Sequence, residues 1–79
     1  MQISVIAYGI AKDILGQRRL TFEFEGDSIG QLKTALIEQY PDFAKLQSLS
    51  FAVEEEYQQD DYPLSDQLEV VIIPPVSGG

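Results

Sequence analysis

The sequence contains neither cysteine nor histidine, and these two absences exclude several kinds of chemistry. Without cysteine the chain has no disulfide framework, no thiol nucleophile and no zinc site built on thiolates. Without histidine it lacks the commonest general base and the commonest metal ligand. We therefore expect no metal site and no catalysis by a serine–histidine pair.

Basic residues are scarce. Five Lys and Arg stand against thirteen Asp and Glu, for a formal net charge of −8. We expect neither a nucleic-acid nor an anionic-membrane partner, because both need a basic surface. The acidic charge serves solubility or steers docking to basic partner proteins. No apolar run approaches the ~20 residues of a membrane span, and the first residues lack the pattern of a secretory leader. These features predict a cytoplasmic protein.

Seventy-nine residues, 44% of them hydrophobic, are enough for one small domain. The segment 2–8 is apolar on both faces, as in a central strand. The segment 20–25 alternates, with Leu20, Phe22 and Phe24 on one face, and predicts a half-buried strand that forms a hairpin with the first. The connection 10–15 has room for one helical turn.

The hydrophobic period then changes to that of a helix over roughly 29–39. Ser28 and Gln31 match a capping box at its start, and Pro41 ends it. Gly30 costs the helix about 0.5–1 kcal/mol relative to alanine. We interpret it as a point where the helix lies close to the sheet, with neutral variation as the equal alternative.

Two further strands are expected at 50–54 and 68–72. The carboxylates of 54–56 between strand-like segments indicate a solvated hairpin tip, and they lack the spacing of a calcium loop. The order of elements predicts an α+β fold of the β-grasp (ubiquitin-like) type. In this fold a mixed sheet carries one main helix on one face, and the first and last strands lie adjacent at its centre. We expect Ile6 and Phe51 to be buried in the core rather than to form a docking surface.

The composition changes abruptly after Ile73, so we divide the chain into a β-grasp domain, 1–73, and an extended tail, 74–79. Pro74 and Pro75 end the strand and stiffen the exit. Gly78 and Gly79 have no Cβ and can enter a narrow slot. The group that the tail delivers is the α-carboxylate of Gly79, which becomes reactive once a partner adenylates it. A terminal Gly-Gly by itself is equally typical of a frayed end.

The sequence resembles the MoaD family, the small sulfur-carrying subunit of molybdopterin synthase, along its whole length. The most specific match is the ending Ile72-Ile73-Pro74-Pro75-Val76-Ser77-Gly78-Gly79 with Tyr62-Pro63-Leu64 and Asp66 upstream. The segments 8–16 and 52–57 match as well. Two residues depart from the family pattern. Glu54 replaces a usual asparagine in the hairpin turn, and Gly9 replaces a usual alanine in a loop that we expect not to touch the tail.

The resemblance implies a carrier that is not an enzyme by itself and binds no cofactor. An adenylating enzyme of the ubiquitin-activating (MoeB) type, using ATP and Mg²⁺, would convert Gly79 to a glycyl adenylate. A sulfur donor protein would then yield the thiocarboxylate. The large synthase subunit (MoaE type) would supply the catalytic side chains, transfer the sulfur to cyclic pyranopterin monophosphate, and form a heterotetramer with the carrier. Gly78 and Ser77 would thread the partner's slot, and Val76, Pro75 and Pro74 would anchor the tail.

Three alternatives remain open. A ThiS-type carrier would feed thiazole synthesis through the same activation. A ubiquitin-like modifier would attach Gly79 to lysines of other proteins. A ubiquitin-like interaction domain would carry an inert tail. Only this last hypothesis predicts that removal of Gly79 leaves the function unchanged.

Overall fold

The computed structural model describes residues 1–46 and 48–75. Its elements follow in chain order: β1 (Gln2–Ala7), α1 (Gly9–Leu15), β2 (Arg19–Glu23), α2 (Ile29–Gln39), a 3₁₀ helix (Pro41–Lys45), β3 (Ser50–Val53), β4 (Glu56–Gln58) and β5 (Glu69–Ile73). The strands form one sheet in the order β2-β1-β5-β3-β4.

The sheet is mixed because β1 and β5 run parallel, in a register that pairs Val5 with Val70 and Ala7 with Ile72. The other pairs, β1 with β2, β3 with β4 and β3 with β5, are antiparallel. The expectation that the first and last strands are neighbours at the centre of the sheet is confirmed, and the structure shows that they run parallel. A parallel pair needs a long crossover, which α2 and the following segments supply.

One face of the sheet carries the hydrophobic core. The apolar stripe of α2 (Ile29, Leu32 and Leu36) is fully buried in the same cluster as the inward side chains of β1 and β5. Phe51 is buried in this core and Ile6 is 6% exposed. Neither residue therefore presents a docking surface, as expected from their apolar character.

Helix α2 has the predicted bounds and the predicted cap at Ser28, but the Gln31 side chain bonds the amide one residue before the one that a capping box uses. The Ser28 Oγ accepts a hydrogen bond from the Gln31 amide at 3.3 Å, while the Gln31 side chain accepts one from the Asp27 amide at 2.7 Å. The expectation that Gly30 faces the sheet is wrong. Its amide donates to the Asp60 carbonyl at 2.8 Å, so the neighbour that comes close is the loop after β4.

The bounds of several elements also differ from the sequence prediction. Strand β3 ends at Val53 rather than at residue 54, and β5 covers Glu69–Ile73 rather than 68–72. The connection between β1 and β2 holds a seven-residue helix, α1, because Ala11 and Leu15 bury its inner side. Strand β2 covers residues 19–23 rather than 20–25. Phe24 is still buried beyond its end, and its amide donates to the Met1 carbonyl at 3.0 Å. Within the described residues, no helix has the length and apolarity needed to cross a membrane.

Candidate functional site

The point where the tail leaves the sheet lies at the end of β5. This strand ends at Ile73, and the half-buried Pro74 and Pro75 follow it. The predicted roles of Val76, Ser77, Gly78 and Gly79 fall outside the described residues. The division of the chain at residue 74 therefore stays a prediction.

The end of the β1–β5 pairing has a backbone cause. Gly9 has φ +58°, the left-handed conformation that glycine adopts readily, so the chain turns out of β1 directly into α1. Pro74 has no N–H, so the backbone has no donor at residue 74 that would need a partner. The segments that follow β1 and β5 therefore leave the sheet at the same end of the paired strands.

Gly9 also lies beside the base of the tail. A Cβ built on Gly9 would stand 3.9 Å from the Pro74 Cγ. The expectation that the departure at Gly9 does not touch the tail is therefore wrong. The contact arises because β1 and β5 run in parallel, which keeps residues 9 and 74 adjacent just beyond the paired strands.

Two large apolar side chains flank this exit. Tyr8 is 50% exposed and Ile10 is 44% exposed. The Arg18 guanidinium lies 5.7 Å above the Tyr8 ring, a cation–π geometry. The sequence reasoning missed this pair of exposed residues. Their signal was two large apolar residues on either side of Gly9, the first residue of α1.

The sheet face opposite α2 carries an apolar groove of about 680 Å³. Val71 and Ile73 of β5 line it with Ala52 of β3, and Tyr57 of β4, 70% exposed, stands at its side. Glu54, Glu55 and Glu69 supply acidic lining. Because Ile73 directly precedes Pro74, this groove is continuous with the base of the tail.

The described residues of this site are mostly apolar and acidic. Across residues 1–46 and 48–75, no polar or charged residue is buried and no group of three acidic side chains could hold a metal ion. The described part of the site therefore offers an apolar surface with acidic lining beside Pro74 and Pro75.

A mixed five-stranded sheet with a crossing helix, whose central strand continues into a proline-led tail, defines a ubiquitin-like β-grasp protein. The chain belongs to the ThiS family, which matches residues 5–79. It is 31% identical to the molybdopterin synthase sulfur carrier subunit of Caenorhabditis briggsae, covering 100% of this chain and 99% of that protein. It is 35% identical to the protein of the same name from Chlamydomonas reinhardtii, covering 100% of both chains.

The fold is shared with the crystal structure of SAMP1 from Haloferax volcanii. That comparison gives a TM-score of 0.80 at 18% identity and covers 100% of both chains. The predicted β-grasp fold is thereby confirmed, and the curated relatives confirm the resemblance to molybdopterin synthase sulfur carriers.

Proposed function

We propose that this chain is the sulfur carrier of molybdenum cofactor biosynthesis and the small subunit of a molybdopterin synthase. The observation that carries the proposal is similarity over the full chain to curated proteins with that name. The structure adds a physical basis, since the central strand leads directly into the tail and an apolar groove lies beside its base.

Gly79 carries the reactive group. In the first step its α-carboxylate attacks the α-phosphorus of ATP on an adenylating partner, with Mg²⁺, and pyrophosphate leaves. A donor protein then supplies sulfur at the sulfide level, which attacks the carbonyl carbon, forms the C–S bond and expels AMP, leaving the thiocarboxylate. The carrier docks on the large synthase subunit and transfers this sulfur to cyclic pyranopterin monophosphate. We place these steps in the cytoplasm.

The catalytic side chains belong to the partners in this scheme. The chain has no Cys or His, so a sulfur carried on the backbone terminus suits its composition. The groove beside Ile73 supports docking of a MoaE-type large subunit and of a MoeB-type activating enzyme. Pro74 and Pro75 hold the tail away from the domain, while Val76, Ser77 and Gly78 pass through the partner's slot.

Intact mass spectrometry tests the activation step. We expect incubation with an adenylating enzyme of the ubiquitin-activating type, ATP, Mg²⁺ and a sulfur source to raise the mass by the difference between one sulfur and one oxygen. Deletion of Gly79, and separately the addition of one alanine after Gly79, should each abolish the gain. An unchanged mass, with the enzyme active on another carrier, would contradict the proposal.

A sulfur-transfer assay then distinguishes this function from those of a ThiS-type carrier and a protein modifier. The charged carrier should convert cyclic pyranopterin monophosphate in the presence of a large synthase subunit. Conversion only with a thiazole synthase would identify a ThiS-type carrier. Attachment to lysines without either transfer would identify a protein modifier.

A further inference from the structure

Strand β2 has one side without a partner strand among the described residues, because it lies at the edge of the sheet. The hydrogen bonds from the Ala7 amide to the Arg18 carbonyl, 2.7 Å, and from the Phe24 amide to the Met1 carbonyl, 3.0 Å, mark the pairing with β1. Backbone groups in an antiparallel pair alternate in direction along the strand. Those of Arg19, Thr21 and Glu23 therefore point away from β1, toward the edge.

The side chains of the same three residues are exposed on the face opposite α2. Their order along the strand is positive, neutral and negative. A second copy can pair antiparallel with this edge so that the two Thr21 residues face each other. Arg19 then lies opposite the second copy's Glu23, and by symmetry Glu23 lies opposite the second copy's Arg19. Opposite charges at directly facing positions stabilise a strand pair.

We propose that this chain forms a symmetric dimer through β2, with two sheets joined edge to edge around Thr21. The outward backbone groups of residues 19, 21 and 23 supply the hydrogen bonds, and the two Arg19–Glu23 pairs make the edge self-complementary. The proposal rests on β2 and is independent of the function proposed for the tail.

A groove of about 380 Å³ between β2 and α2 leaves room for the incoming strand. Phe22, Phe24 and Ala35 give it an apolar part. Leu20 and Phe22 lie on the α2 side of β2. Phe22 is already buried in its own core, so the half-buried Leu20 is the side chain of the second copy that faces this groove. Pairing would therefore also bury apolar surface on the core side of the joined sheets.

The existing contacts of Arg19 are compatible with this pairing. Its Nη1 donates to the Ser4 Oγ at 3.2 Å and to Glu69 at 3.0 Å, on an exposed part of the surface. Because Ser4 lies on β1 and Glu69 on β5, these contacts direct the guanidinium inward across the sheet, and Arg19 must exchange Glu69 for the second copy's Glu23 when the edges pair. Both ion pairs are exposed, so this exchange costs little. The net charge of −8 opposes association, and salt near 0.15 M screens this repulsion. We expect a weak dimer whose population rises with concentration.

Sedimentation equilibrium at about 0.15 M salt tests the proposal through charge reversal. Arg19→Glu alone and Glu23→Arg alone should each weaken the dimer about tenfold, because each places like charges opposite one another at two positions. An equimolar mixture of the two variants should form a heterodimer, and the double variant in one chain should regain the homodimer. Lys45→Glu and Asp42→Arg make the same charge changes at an exposed ion pair elsewhere and should leave the wild-type dimer intact.

Thermal unfolding of each variant verifies that the fold is retained. A wild-type protein that stays monomeric to its solubility limit would overturn the proposal. A dimer that is equally strong in all variants, and is lost in Tyr57→Ser, would place the contact on the groove of the open face and would also overturn it.

Discussion

At the scale of single residues, the hairpin between β3 and β4 contains backbone strain. Val53 pairs with Glu56, so Glu54 and Glu55 form a two-residue connection. Their φ angles are +54° and +69°. Positive φ at both central residues is the requirement of a type I′ turn, which favours Asn-Gly. The sequence has two glutamates there, and the left-handed conformation is unfavourable for both.

We expect Glu54→Asn together with Glu55→Gly to stabilise the protein by about 1 kcal/mol, because Asn and Gly adopt positive φ more readily. Urea unfolding measures the change. The matched control, Glu54→Gln with Glu55→Gln, removes the same two charges without this backbone preference. Equal gains in the two variants would assign the effect to charge repulsion instead.

At the scale of an element, the start of α2 depends on the loop after β4. The Ile29 amide donates to the Tyr62 carbonyl at 3.1 Å and the Gly30 amide donates to the Asp60 carbonyl at 2.8 Å. Lys33 adds an ion pair with Asp60 at 3.3 Å. This loop therefore satisfies helix amides that would otherwise lack partners within the helix.

Gly30→Ala should lower the free energy of unfolding, although alanine favours a helix by up to ~1 kcal/mol over glycine. The added Cβ would stand 3.2 Å from both the Cβ and the carbonyl oxygen of Asp60, so the capping loop must shift. Thermal unfolding measures the stability of Gly30→Ala and of Thr34→Ala, which changes an exposed position in the same helix. An increase of about 1 kcal/mol in the free energy of unfolding of Gly30→Ala would contradict this prediction, because it would show that the capping loop shifts at no energetic cost.

At the scale of the whole molecule, the two faces of the sheet have different roles. Helix α2 covers one face, and the other carries the groove that continues to the tail. Tyr57 projects from this second face with 70% of its surface exposed. A residue so exposed contributes little to folding, and aromatic side chains at interfaces often dominate binding.

Tyr57→Ser should therefore change stability by less than about 0.5 kcal/mol while weakening docking to the large synthase subunit by about tenfold or more. Isothermal titration calorimetry with that subunit measures the loss. Gln39→Ala, at the end of α2, should leave binding unchanged. Full affinity in Tyr57→Ser would remove the open face from the docking surface.

The sequence by itself determined the elements whose pattern is local. The bounds of α2 followed from a helical period between Ser28 and Pro41, and the inward residues of the strands followed from alternation. The apolar first and last strands also indicated that these two strands lie side by side at the centre of the sheet, since only central strands bury both faces. The roles of Gly78 and Gly79 remain predictions from composition and family resemblance.

Only the tertiary structure decided which distant segments meet. The contact of Gly30 with Asp60 and the approach of Gly9 to Pro74 each join segments far apart in the chain. Hydrophobic period records which face of an element is buried, but it does not record which loop covers a helix end or which turn lies beside a strand end. The groove beside the tail needed side chains from β3, β4 and β5 together, because no one segment forms it.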